Sequence, residues 1–570
     1  MNILVISGGS GNDSLITGLK QFYPDAHIQV LVNAYDNGKS TGVCRSVTGT
    51  LGVSDIRKNH IRMYKATTRT PNKSYIEFFE NRYDFTKGNE VEEIAEKLHK
   101  WNLDNLIEYV EYFFSWPAAA DYEYKDFNVA NIVYSAMYNM HGYTETHSYF
   151  CDLLGIEDFV ILNSFDNVFI TACTQNNMII EDEGNIVEWC NPDDKICRID
   201  YKGIDEDPEL NPQAIQAIAD ADLIVISTGT FWSSIFPTID YGNLYEFINA
   251  STAKKVWAIN NEEDKDAYGV TSNDFIRYMS DCGLNLNDFV ILENHDAIES
   301  LRMPHKYVNI YETSMGNNKG KHDGNLYARA LLKCYYGVTN PDKFTKVFFD
   351  FDDTLWARNP SEALLKTSRD NISLVSKFND KAVIISGNSY ASIANKLSTV
   401  YGSSLNEFNP DIWADANAVL FRNDASVGAI ESLVISGDIM PLVEHLGKNY
   451  GIISTVNRQE HPTFIKLKPL DERERIILAE YLNNYLLGSC GLGYCKAIIT
   501  GNTTIDIVMK SNDKSLVAEY YECDPENVLY IGDEVDNGND QSIAQLCGTS
   551  IHTSGVQETN VVLRLLLNED

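Results

Sequence analysis

The chain has 570 residues, 44% hydrophobic and 22% charged, and a net charge of −35 from 81 acidic against 46 basic residues. Such a length exceeds one ordinary core, so a soluble globular protein of at least two domains is expected. The acidity excludes a general hold on nucleic acid or anionic membranes, and any phosphorylated ligand must be captured locally by metal and backbone N–H groups.

Short β-branched runs, each followed by glycine and an amphipathic stretch, recur at Ile3–Ile6, Ile28–Val32, Leu223–Ile226, Val256–Ile259, Val347–Phe349, Val383–Ile385 and Val528–Ile531. This alternation predicts an α/β protein with mainly parallel sheets. Between Met315 and Lys343 the stretches NNKGKHDGN and TNPDKF break the pattern around a helical segment at Leu326–Tyr335. The expected division is therefore into residues 1–330 and 340–570. The 11 cysteines show no CxxC pair and no spacing with histidine that reads as zinc, which predicts reduced thiols and a cytoplasmic location. Met1 leads directly into the first strand, leaving no room for a targeting segment, and no apolar stretch reaches the roughly 18 residues of a membrane span.

In the first half, strand Ile3–Ile6 runs into SGGSGNDSLITGLK. Gly8, Gly9, Ser10 and Gly11 form a turn whose N–H groups can approach a phosphate, with the positive end of a helix starting near Ser14 aimed there. The strand Ile28–Val32 leads into AYDNGKSTGVCRSVTGTLGVSDIRKN, which is read as loop and carries Asp36, Asn37, Ser40, Thr41, Arg45, Asp55 and Arg57. Arg45 and Arg57 are equally open to serving as surface ion-pair partners, and Trp232 is more readily a core tryptophan than a base-stacking one.

These residues resemble the phospholactate transferase (CofD-like) family and its sister group, the YvcK-type gluconeogenesis factors. Ser7–Gly11 matches the opening G-G-G-T-G of that family, DNGKSTGVCR its D-D-G-G-S-S-G-R-L-R, and SDIRK its G-D-I-R-N. ADLIVISTGTFWSSIFP at 221–237, with Gly229 and Thr230, echoes its A-D-L-I-V-x-G-P-G-S-L-Y-T-S-I-I-P, and Asn131 of FNVAN falls where the family contacts ligand. The resemblance implies a Rossmann-like domain that binds a nucleoside diphosphate conjugate, of GDP or UDP type, at the carboxyl edge of its sheet. One branch transfers a phosphorylated hydroxy acid; the other binds a UDP-sugar and regulates. Asn37 stands where the family has a second Asp, so Asp36 alone makes a poor magnesium site, while Lys39 can supply a positive charge to phosphate.

In the second half, Val347–Phe349 runs into DFDDT. Residues two apart on a strand point the same way, so Asp350 and Asp352 share one side at the strand end and seat a hard cation such as Mg²⁺. One carboxylate can then attack phosphorus while the other moves a proton. Further along, a strand ends in Ser386–Gly387–Asn388, Lys514 opens a helix, and another strand ends in GDEVDNGND with Asp533 and Asp540. Parallel strand ends converge on one crevice, so four distant segments can build one site.

In this order the segments resemble the four motifs of the haloacid dehalogenase-like phosphohydrolases. The resemblance implies Asp350 as nucleophile, Asp352 as general acid/base, and Thr354, Ser386, Gly387 and Asn388 as phosphate contacts. Lys514 becomes the charge clamp, and Asp350, Asp352, Asp533 and Asp540 hold magnesium. The long stretch between Ser386 and Lys514 implies an inserted α+β cap at about residues 422–505. The fold class expected is thus two Rossmann-like parallel-sheet domains, the second capped. The expected function is a bifunctional enzyme, a CofD-like transferase or binding domain joined to a Mg²⁺-dependent phosphatase of a sugar phosphate or phospho-hydroxy acid. The alternatives are a UDP-sugar sensor controlling that phosphatase, or a phosphosugar mutase; a homodimer is open in each case.

Overall fold

The computed structural model describes the chain except residues 10, 158, 205–206, 303–308, 317–319, 403–404, 406, 436–439, 451–452, 457–461, 469–471, 489–491, 501–503, 537–538 and 570, with 449–450, 453–456, 472–475, 487–488 and 500 described as backbone alone. It forms two compact units, Met1–Tyr335 and Tyr336–Asp570.

Seven parallel strands make the main sheet of the first unit: β1 (Asn2–Ile6), β2 (His27–Val32), β3 (Val160–Leu162), β4 (Leu223–Ile226), β5 (Lys254–Ala258), β6 (Phe289–Asn294) and β7 (Asn309–Thr313). Their spatial order is β3-β2-β1-β4-β5-β6-β7. The central strands are apolar on both faces, as in LIVI at 223–226, because helices cover both sides. The order reverses between β1 and β4, and the loops leaving those two strands diverge there into a crevice. Helices α1 (Asp13–Phe22), α2 (Lys39–Thr48) and α3 (Ser54–Thr67) follow β1 and β2. Two of them occupy the segment read from sequence as loop. Gly38 precedes α2 and Gly49 ends it in the left-handed conformation (φ 69°), so the glycines that suggested a loop are the two ends of a helix. Further helices, including α4 (Val129–His141) and α5 (Tyr143–Leu154), and two small antiparallel sheets, of two and three strands, complete the unit.

The second unit is built on β8 (Lys346–Asp350), β9 (Ala382–Ile385), β10 (Asp411–Ala414), β11 (Val419–Arg422), β12 (Ala425–Ala429), β17 (Val528–Gly532) and β18 (Thr549–His552). The order is β12-β11-β10-β9-β8-β17-β18; the five strands from β10 to β18 are parallel, and β11 and β12 extend the edge as antiparallel hairpins. Between β12 and Lys514 lies the cap, a four-stranded antiparallel sheet of β13 (Ile453–Val456), β14 (Phe464–Lys468), β15 (Cys495–Thr500) and β16 (Thr504–Met509), ordered β13-β14-β16-β15. Ile465, Leu467, Ile505, Ile507, Cys495 and Ala497 join Leu442, Leu446, Leu482 and Leu486 of the helices Met440–Tyr450 and Glu472–Gly488 in a separate core. Strand alternation turns the intervening residues to the opposite face. No described helix is long and apolar enough to cross a membrane.

Candidate functional site

In the second unit, Asp350 ends β8 and Asp533 follows β17, its immediate neighbour, so their carboxylates meet at the carboxyl edge of the sheet. Asp540 joins them, and the three offer oxygens within 4.8 Å of one another. Lys514 lies between: its Nζ donates to Asp350 Oδ1 at 2.5 Å and to Asp540 Oδ1. Thr354 Oγ1 donates to Asp533 Oδ1 at 3.1 Å. Asp352 faces another wall, where its carboxylate accepts from Asn388 Nδ2 and from Lys396 Nζ at 3.0 Å, and it is not among the three that converge. Ser386 Oγ accepts the Asn388 N–H at 3.1 Å, which tightens the Ser386–Gly387–Asn388 turn beside it.

Burial is the chief cause that raises the Asp350 carboxyl to about 8; Lys514 opposes the rise and Asp540 adds to it. The Asp533 carboxyl is raised by burial and by Asp540, while Lys514, despite its burial, is held above the ordinary lysine value by its two carboxylates. One ammonium thus leaves the acidic cluster under-neutralised. Three hard oxygen donors at this spacing, short of positive charge, suit a small divalent cation.

A cavity of about 710 Å³ opens over these groups, with Lys466, Lys496, Thr504 and Asp506 of the cap on its far side. Lys396, Lys466 and Lys496 are site residues that sequence motifs did not mark. Lys396 sits on the helix after Ser386, and the cap residues belong to no motif.

In the first unit, the glycine turn after β1 meets the turn after β4 at the switch point. A Cβ on Gly11 would lie 1.7 Å from the Thr228 carbonyl oxygen, and one on Gly9 would lie 2.0 Å from Asp55 Oδ1. Close packing therefore demands both glycines. Ser10 lies outside the described residues. Gly8 is packed against Ser234, whose hydroxyl is 2.9 Å from that of Thr230, and Gly229 exchanges hydrogen bonds of 3.1 Å with the Asn260 side chain.

Asp36 accepts from Gly38 N–H at 2.9 Å and from Thr41 Oγ1 at 3.2 Å. Burial alone would raise it, but Lys58, with the Ser54 hydroxyl and the Gly38 N–H, holds it below the usual carboxylate value. Glu183, a residue no motif marks, stands beside it and is pushed well upward by burial and by Asp36. Asp36 therefore has a second carboxyl as neighbour although position 37 is Asn, which instead donates to Asp182 at 3.1 Å. Lys58 pairs with Asp55 at 3.2 Å. Lys39, the cation expected from sequence to supply charge, is exposed, 3.8 Å from Asp126.

Ser40, Arg45, Asp55 and Arg57 lie on helices rather than in loops, and the two arginines are buried rather than surface-paired. Asn131 Nδ2 donates to Ser40 Oγ at 3.0 Å, and its Oδ1 accepts from Arg57 Nε at 2.8 Å. Arg57 also donates to the Phe79 carbonyl. Arg45 donates to the carbonyls of Tyr35 (3.1 Å) and Val168 (2.7 Å), so it braces the backbone behind Asp36. Trp232 is fully buried. Away from the crevice, His60, His147 and Cys151 also converge, with His60 Nε2 2.7 Å from His147 Nδ1; His147 and Cys151 are one turn apart on α5, and His60 joins them from α3, 87 residues earlier.

The model of the family described as 2-phospho-L-lactate transferase CofD matches residues 3–331. A putative gluconeogenesis factor of Thermoanaerobacterium thermosulfurigenes is 24% identical over 316 residues, 55% of this chain and 82% of its own. A crystal structure of a Bacillus halodurans protein aligns at 19% identity with a TM-score of 0.44, covering 58% of this chain and 99% of that one. A haloacid dehalogenase-like hydrolase from Bacteroides thetaiotaomicron aligns at 13% identity with a TM-score of 0.30, covering 40% and 99%. With the family model spanning more than half of its length, this chain belongs to the 2-phospho-L-lactate transferase CofD family.

Proposed function

We propose that the second unit is a Mg²⁺-dependent phosphohydrolase of a small phosphorylated metabolite, and that the first binds a nucleoside diphosphate conjugate at its glycine-lined crevice. The observation that carries the first claim is the buried Asp350–Lys514–Asp540 group beneath a capped cavity. Asp350 is the nucleophile: its oxygen bonds to phosphorus as the ester P–O bond breaks, and Asp352 gives the leaving oxygen its proton. Water then attacks the aspartyl-phosphate, Asp352 takes back a proton, and inorganic phosphate leaves with Asp350 regenerated. Thr354, Ser386, Gly387 and Asn388 are assigned to orienting the phosphoryl oxygens.

Lys514 steadies both the nucleophile and the charge that develops on the phosphoryl group. Mg²⁺ held by Asp350, Asp533 and Asp540, with Asp352 at hand, would supply the remaining charge neutralisation. The same charge is what Asp350 needs to stay ionised, since burial otherwise keeps it protonated at neutral pH. The test is phosphate release by the full chain with Mg²⁺ and a panel of sugar and hydroxy-acid phosphates. Release is expected from the native protein and not from Asp350→Asn; equal release from both overturns the reading, and isomer interconversion without release makes the unit a mutase.

For the first unit, the meeting of the two glycine turns at the strand switch supports nucleotide binding, with Asp36, Asn37, Ser40, Asp55 and Asn131 around the ligand and Arg45 and Arg57 holding that wall from behind. GDP, UDP and a UDP-sugar should each be tried by thermal shift; a ligand at a hundred times its Kd stabilises by about 2.7 kcal/mol. No shift with any of them overturns this half.

A further inference from the structure

Lys496 of the cap and Asn417 of the turn after β10 both line the cavity of the second unit. Resting on the phosphohydrolase reading, we propose that Lys496 and Asn417 form a second recognition subsite in this cavity, beside the proposed phosphate loop, for an anionic group on the part of the substrate that leaves. The preferred substrate is then a phosphate ester that also bears a carboxylate or a second phosphate, with a hydroxyl beside it.

Three observations support this assignment. First, the cavity's cations are unequally committed. Lys514 holds Asp350 and Asp540, Lys396 holds Asp352 at 3.0 Å, Lys466 pairs with Asp506 at 3.6 Å, and Arg358 pairs with Asp353 at 3.2 Å. Lys496 instead donates to a backbone carbonyl, that of Asn512, at 3.3 Å. Burial raises the nearby Asp513 carboxyl, but Ser542 and Ser515, with Lys496 as the last contributor, hold it below the ordinary value. A lysine facing a cavity in a protein of net charge −35, with a carbonyl in place of a carboxylate, has room for an incoming anion.

Second, Asn417 is buried at 6% exposure and lines the same cavity, yet its Oδ1 has no hydrogen-bond partner among the described residues. A buried acceptor without a donor is costly unless something arrives to donate.

Third, the position of Asn417 is built. Asp415, Ala416 and Asn417 are three consecutive non-glycine residues in the left-handed region (φ 54°, 63° and 61°). Such a run persists only where its surroundings impose it. Here the N–H groups of 415, 416 and 417 donate in turn to the carbonyls of Asn388 (2.8 Å), Gly387 (3.2 Å) and Ser386 (3.3 Å), tying the turn to the proposed phosphate loop. Asn512 Nδ2 donates to the Ala416 carbonyl at 2.7 Å while its own carbonyl takes Lys496. Asn512 therefore joins the cap lysine to the strained turn and places both at one spot.

Two matched pairs test the assignment with the full chain and Mg²⁺: 6-phosphogluconate against glucitol 6-phosphate, and fructose 1,6-bisphosphate against fructose 6-phosphate. The native protein should favour the member with the additional anionic group in one pair, in kcat/KM, by roughly ten- to a hundredfold, the worth of a hydrogen bond to a charged group; the favoured pair tells carboxylate from phosphate. Lys496→Gln should reduce that ratio to near one, through KM, and Lys496→Arg should restore most of it. Asn417→Gly, which keeps the left-handed turn, should raise KM for both members of the favoured pair. A native ratio near one in both pairs, or a Lys496→Gln variant that slows all four substrates by one common factor, overturns the subsite and leaves the phosphohydrolase standing. Failure to release phosphate from any of the four or from p-nitrophenyl phosphate overturns the phosphohydrolase, and the subsite with it.

Discussion

Asp350→Asn should stabilise the second unit in metal-free buffer, and increasingly so as pH rises. The native carboxyl is raised to about 8 by burial first, with Lys514 opposing and Asp540 adding, from an ordinary value of 3.8. Between those two values the unfolded chain has released the proton while the folded chain keeps it. Stability from this group is therefore present at low pH and is lost as pH climbs from about 4 to about 8. Each pH unit is worth about 1.4 kcal/mol, so the folding cost grows from about one to a few kcal/mol between pH 5 and pH 7. Asparagine stands in for the neutral carboxyl and removes the cost at every pH. Water in the adjoining cavity lowers these magnitudes but not the slope's sign.

Calorimetric scans of the full chain in a chelator, at pH 5, 6 and 7, follow the transition that Mg²⁺ shifts in the native protein. The gap between variant and native should widen steadily with pH and close when Mg²⁺ is added, because the cation stabilises only the native site. A gap that stays constant or narrows with rising pH would refute the claim that burial, rather than Lys514, governs this carboxylate.

Other consequences are open to simpler measurements. Lys514→Met leaves Asp350 and Asp540 buried without their cation; phosphate release should be lost, and the second unit should weaken by roughly 3–5 kcal/mol at pH 8 and less at pH 5, read from melting at the two values. Arg57→Leu strips partners from Asn131 and the Phe79 carbonyl and should lower the first unit's stability by roughly 2–4 kcal/mol in urea unfolding, without touching phosphate release. Burial and Asp36 push the Glu183 carboxyl toward its neutral form, so for Glu183→Gln melting at pH 7 should move by less than about 0.5 kcal/mol, whereas Asp36→Asn should cost more.

Several features were legible along the chain because they depend on neighbours in sequence. Apolar runs such as LIVI at 223–226 and VFF at 347–349 declare buried parallel strands, and the residues just past such a strand must emerge at its carboxyl end. Asp350, Ser386 and Asp533 could thus be placed at one edge without coordinates. The stretch 36–58 was misread for a local reason: glycine and polar residues suit a loop, but they also suit helix ends and a buried hydrogen-bonded network. Whether Ser40, Arg45 and Arg57 face solvent or a buried wall depends on partners far along the chain, such as Asn131 and the Val168 carbonyl.

What tertiary structure alone decided is which charges meet. Glu183 reaches Asp36 across 147 residues, Lys514 reaches Asp350 across 164, and Asn512 ties Lys496 to Ala416, pairings that leave no periodic trace in the chain. Hydrophobic periodicity is a short-range property of strands and helices, so sequence determined the two α/β units and the tips that carry the motifs. Protonation, ion pairing and the lining of the cavity are set by through-space distance and exclusion of water, and these exist only once the chain is packed.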